Sequence, residues 1–110
     1  MRTLKRKDCA VLHLTLKRKW YDMIESGRKR QEYRTSKKVI RDIERWYGHT
    51  LITGDVRVVQ FALGYAKGRP TMTWKVSVVF WTSFAYHPEW GQPRESHYVI
   101  DLAERVELED

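Results

Sequence analysis

The chain has a single cysteine, Cys9. No internal disulfide is available to it, and a lone thiol fits a reducing compartment. Cys9 falls on an alternating segment and reads as a strand-edge side chain rather than a nucleophile. Proline and glycine are sparse, at three and six residues, which leaves no low-complexity linker. No apolar run approaches the roughly 18 residues that a membrane-spanning helix needs. The apolar stretch after the basic start Met1–Lys7 is too short and too interrupted for a secretory signal, so a cytoplasmic location and no membrane partner are expected. The four histidines, His13, His49, His87 and His97, show no metal-ligand spacing, and no second cysteine joins them. No Gly-rich phosphate loop, Ser-His-Asp order or paired-carboxylate motif occurs. Metal and nucleoside-triphosphate chemistry are therefore not expected, and no cofactor is.

Acidic residues are also short: 14 Asp and Glu stand against 21 Lys and Arg, giving a net charge of +7 in 110 residues. That balance favours a polyanionic partner, nucleic acid above all. The charge is uneven, with 15 of the 21 cations in residues 1–45 and a net acidic tail over Asp101–Asp110. Five Trp and six Tyr add flat rings of the kind that stack on bases, although most must serve the core. Hydrophobic residues make up 42%, enough for one globular domain. Residues 1–8 read as a basic arm and 9–110 as the domain.

Cys9 to Leu16 alternates, with Ala10, Leu12, Leu14 and Leu16 on one face, and predicts a strand. The period then changes, and Leu16, Trp20, Met23 and Ile24 form a helical stripe that stops at Gly27. A second stripe, Val39, Ile40, Ile43, Trp46 and Tyr47, is expected to start at a Thr35 or Ser36 cap and end at Gly48. Asp55 to Leu63 predicts a strand with a bulge at Val58–Val59. Thr71 to Phe80 predicts its hairpin partner, with Met72, Trp74, Val76, Val78 and Phe80 on one face. Tyr86–Pro93 reads as a loop, and His97–Leu102 as the last strand. The order β-α-β-α-β-β-β predicts an α+β domain, mixed or barrel-like.

The richest segment is Gly27-Arg28-Lys29-Arg30-Gln31-Glu32-Tyr33-Arg34. Fully extended, it would put Lys29, Gln31 and Tyr33 on one face and Arg30, Glu32 and Arg34 on the other. A bend after the glycine would instead bring Lys29 to Glu32. Lys29 reads as a desolvated base, as a phosphate clamp, or as a solvated cation beyond a helix C-terminus. Glu32 reads as its ion-pair partner, as an acceptor for a base edge, or as a base for water. Arg34 offers a planar fork for phosphate, or a structural salt bridge. Tyr65, Lys67 and Arg69 form an aromatic-basic loop, readable as a nucleic-acid contact or as a bare hairpin tip. Trp20 and Trp74 belong on core stripes, whereas Trp46, Trp81 and Trp90, at element ends or in loops, are candidates for stacking on a base.

These segments resemble the ASCH family, within the PUA-like superfamily. The resemblance rests on Leu12-His13-Leu14, on Trp20-Tyr21-Asp22-Met23-Ile24, and on Gly27 to Arg34, which fits the pattern Gly-x-Lys-x-x-Glu-x-Arg at every defined position. Pro88-Glu89-Trp90-Gly91 and Tyr98-Val99-Ile100-Asp101-Leu102 are similar to the closing loop and strand of a small single-domain subfamily of bacterial and phage genomes. Together they span about residues 10–108. The resemblance implies a small β-barrel with two helices and a cleft lined by Lys29, Glu32 and Arg34. It implies binding of RNA, or of a modified nucleoside or nucleotide. It also implies two alternatives: a small amidohydrolase acting on N4-acetylcytidine-type substrates, with Lys29 and Glu32 as the candidate catalytic pair, and a ribonuclease. The acetylcytidine-hydrolysing branch has threonine where this chain has Glu32, so the same nucleophile is not in place.

Overall fold

Hydrophobic alternation at 9–16 becomes a strand in the computed structural model, which describes residues 1–110. Leu12, Leu14 and Leu16 of β2 (Cys9–Leu16) are buried and His13 between them is exposed. Six strands and two helices make an α+β fold on one mixed sheet. Besides β2, these are β1 (Arg2–Lys5), α1 (Arg18–Glu25), β3 (Gln31–Arg34), α2 (Lys37–Thr53), β4 (Val56–Leu63), β5 (Thr71–Thr82) and β6 (His97–Glu109). The strand order is β1-β6-β5-β4-β2, and β3 also pairs with β6. β4 and β5 form the expected antiparallel hairpin. β1 takes Val106–Glu109 of β6 and β3 takes Tyr98–Asp101, so the two share its outer edge.

The sheet does not close into a barrel. Its edge strands β2 and β3 share no ladder; a side chain alone spans the seam, where the Arg34 guanidinium donates to the Thr15 carbonyl at 2.9 Å. The core fills the sheet's inner face: Leu12, Leu14, Phe61, Trp74 and Ile100 from the strands, Tyr21 and Ile24 from α1, Ile43 and Trp46 from α2.

Within the segment read as a basic arm, Arg2–Lys5 is a strand that pairs in parallel with β6. Its charge is matched by the acidic end of the chain, with Arg2 2.6 Å from Glu104 and Arg6 3.0 Å from Asp110. This adds a strand at the head of the expected order. Helix α2 does not stop at Gly48 but runs on to Thr53, with Ser36 capping its start and Gly54, at φ 73°, its end. Thr50, 3% exposed, carries the buried stripe past Gly48, one turn beyond Trp46. β4 has no bulge: its register with β2 and with β5 is unbroken, and Val58 and Val59 are both fully buried. The irregularity lies in β5, where the register shifts around Val76–Val78. The slip exchanges the faces, leaving Val78 51% and Phe80 38% exposed while Val79 packs on the core.

No helix is long and apolar enough to cross a membrane.

Candidate functional site

Gly27 determines where the charged segment goes. At φ 82° it turns the chain off α1. Its N–H donates to Ile24 and the Lys29 N–H to Met23, each at 3.0 Å. Lys29 is thereby pinned against the helix end before β3 begins at Gln31, so the bent alternative holds. β3 then places Glu32 opposite Ile100 and Arg34 opposite Tyr98, both on the inner side of the sheet.

The three charges meet at the seam. Lys29 Nζ donates to Glu32 Oε1 at 3.0 Å. Arg34 Nε donates to Glu32 Oε2 at 2.9 Å, and its Nη2 lies 2.8 Å from the same oxygen. Side-chain exposure rises outward from 2% at Lys29 through 7% at Glu32 to 19% at Arg34. Two cations on one carboxylate leave one positive charge in excess, and Arg34 is the member that brings it to solvent. Arg34 commits Nε and Nη2 to protein acceptors, which leaves Nη1 without one.

Burial holds the Lys29 ammonium below its ordinary pKa; Glu32 opposes the shift and Arg34 adds to it. Aromatic faces replace the missing water, with Nζ 4.3 Å from the Trp20 ring centroid and 5.2 Å from that of Tyr33. The Tyr33 hydroxyl is pushed well above its ordinary value, by burial first and by the Glu32 carboxylate second. It donates to Gln31 Oε1 at 2.8 Å, and the Gln31 amide donates to Asp101 at 3.1 Å.

A second buried polar chain holds the covering loop. Gln92 Nε2 donates to the Phe84 carbonyl at 2.9 Å and to His97 Nε2 at 3.0 Å. His97 therefore carries its proton on Nδ1, which donates to the Glu95 carbonyl at 2.6 Å. The loop so fixed sets Gly91 against Trp20. A Cβ there would lie 2.6 Å from Trp20 Cζ2, and the backbone is at φ 79°. Gly91→Ala is expected to cost about 2–4 kcal/mol, from left-handed strain and steric overlap. Urea unfolding checks this; an unchanged midpoint would mean the loop is not seated on Trp20.

The structure brings Lys29, Glu32 and Arg34 together but opens no cleft onto them. None of its four cavities is lined by any of the three. The other expected contacts lie apart. Trp46 is 7% exposed and belongs to the core, its indole N–H donating to Ala10 at 2.9 Å. Tyr65, Lys67 and Arg69 stay exposed on the β4–β5 connection. That connection leaves the sheet at the same end as Arg34, because the Gly64 N–H donates to Leu16, one residue beyond Thr15. Trp20 and Gly91 join the site with no signal for their contact in the sequence, since only the loop fold brings Gly91 to the ring. No three His, Cys, Asp or Glu side chains converge to hold a metal ion.

Comparison of the chain with protein-family models, with curated proteins and with solved structures returns no match.

Proposed function

We propose that this protein is a nucleic-acid-binding module that takes RNA, or a nucleotide within it, at the β2–β3 seam. The observation that carries this reading is the Arg34 guanidinium, held rigid by Glu32 and Thr15 with Nη1 free at the surface end of a cluster with excess positive charge. A fork fixed in this way is suited to a phosphate or a base acceptor edge. Surrounding cations supply the long-range attraction expected of a +7 chain. The resemblance to ASCH domains supports the same placement, because the Lys, Glu and Arg of its motif are the three residues of the cluster. On this reading the unclosed sheet is a PUA-like barrel left open at one seam, with the Tyr65–Arg69 connection as an outlying contact.

Binding of a fluorescent single-stranded RNA across a salt series tests the proposal. A log–log slope of about −2 to −3 is expected, which corresponds to three or four phosphate contacts at about −0.7 each. No binding at low salt would overturn it.

A second reading is favoured by one observation, the desolvated Lys29 beside Glu32. A lysine of lowered pKa can serve as a general base, and Glu32 would orient a water toward an N4-acylated cytidine. Release of acetate from N4-acetylcytidine or acetylated RNA, lost in Lys29→Ala, would establish the amidohydrolase. RNA binding without turnover would leave the binding module.

A further inference from the structure

A cavity of about 390 Å³ lies between α2 and the β5–β6 pair; no residue of the charged cluster lines it, and of the segments that carry the resemblance only Tyr98 reaches it. It sits near the small end of the range for ligand pockets, roughly 300–1,000 Å³, with room for one ring system. Ile43 and Val79 line it next to the core. Its aromatic walls include Trp81 and Tyr98, set edge to face with centroids 5.0 Å apart and planes at 76°. Tyr47 also lines it and is steadied by Arg57, whose guanidinium carbon lies 4.3 Å from the ring centroid. Trp81 is 51% exposed, an unusual position for a large indole unless its face is used.

Two further features give the cavity a ligand chemistry. The first is Gly48. A glycine inside a helix is unfavourable and needs a reason. Here the backbone is not at positive φ, and a Cβ at Gly48 would meet nothing within 4 Å. Neither conformation nor close packing accounts for it; what it does is leave the cavity's α2 side open. The second is Glu44, the charged residue of the lining, whose Oε2 accepts from the Tyr98 hydroxyl at 2.9 Å. A carboxylate only accepts, and it keeps Oε1 and further lone pairs for a ligand. Its complement is a planar ring with adjacent donors on one edge. Guanine alone among the standard bases presents N1–H beside N2–H₂. Adenine and cytosine set a donor beside an acceptor, and uracil flanks one donor with two acceptors.

We infer that this cavity is a base-selective pocket, in which a guanine of single-stranded RNA stacks on Trp81 and donates its N1 and N2 edge to Glu44. The inference rests on the nucleic-acid reading above and extends it. Tyr98 is the register partner of Arg34 on β3, so pocket and seam are neighbours. A nucleotide seated in the pocket would direct its phosphate toward the free Nη1 of Arg34, which offsets the repulsion from Glu44.

The test uses fluorescent oligouridines that each carry one guanine, adenine or cytosine. The guanine oligonucleotide is expected to bind about tenfold more tightly than the others. Glu44→Gln should abolish that preference, while the loss of its negative charge tightens binding of every oligonucleotide, plain oligouridine included, to a similar degree. Trp81→Ala should weaken every oligonucleotide about tenfold through lost stacking. Gly48→Leu controls for folding, because leucine suits a helix better than glycine; it should keep or raise the melting temperature while filling the pocket and erasing the preference. Equal affinity for all three bases, or indifference to Gly48→Leu, would overturn the pocket and leave the seam standing. Preference for adenine or cytosine would overturn the role of Glu44. Failure of every oligonucleotide to bind would overturn the nucleic-acid reading and the pocket with it.

Discussion

Replacing Glu32 by glutamine is expected to destabilise the protein by about 3–5 kcal/mol, because it leaves two cations at the seam without a counter-charge. Lys29 is 2% exposed and Arg34 19%, so water does little to screen them. The opposite change should cost little. Lys29→Met keeps the volume and removes a buried charge, while Glu32 retains Arg34; the expected effect is between neutral and about 2 kcal/mol of added stability. The asymmetry is the informative quantity, and urea denaturation of the two variants measures it. Equal losses in both would mean that the cluster is a simple ion pair without excess charge. A pH series adds an independent check. The Lys29 pKa is lower folded than unfolded, so between those two values the unfolded chain binds more protons and stability rises with pH. Lys29→Met should remove this alkaline rise, and its curve subtracted from that of the native protein should isolate it.

Arg34→Ala is expected to weaken binding of single-stranded RNA by about 10- to 100-fold, the effect of losing charge-assisted hydrogen bonds. The salt slope should become shallower by about one phosphate contact. Folding should suffer less than in Glu32→Gln, because Glu32 Oε1 keeps Lys29, although Oε2 and the Thr15 carbonyl both lose their donor; about 2–3 kcal/mol is expected. Arg34→Lys distinguishes charge from shape. A lysine restores the positive charge without the fork, and should recover part of the affinity but not all of it. Full affinity in Arg34→Ala would mean that RNA, if bound, sits elsewhere on the basic surface.

The charged segment is largely legible in the sequence because its cues are local. A glycine after a helical stripe forces a turn, and five charged residues follow within seven positions, so the bend that joins Lys29 to Glu32 is one of two arrangements the residues themselves allow. The β2 alternation and the β4–β5 hairpin are legible for the same reason. What the sequence hides depends on distant partners. Arg2–Lys5 is a strand only because the acidic end of β6 lies beside it. Gly48 looks like a helix stop, since glycine is common there; only the continued burial at Thr50 and the turn at Gly54 show otherwise. The β5 slip has no compositional mark, yet it reverses the faces of Val78, Val79 and Phe80. The short seam between β2 and β3 is likewise invisible in sequence, because Thr15 contributes through its backbone carbonyl.

The side-chain ¹⁵N–¹H signal of Arg34 Nε, followed by NMR as single-stranded RNA is added, tests the central claim most directly. If the seam is the binding site, this signal moves and saturates with the affinity measured for the RNA, and the Lys29 ammonium responds with it through Glu32. If the Arg34 and Lys29 signals stay fixed while only cations elsewhere on the surface shift, the cluster is a structural plug and the seam does not bind nucleic acid.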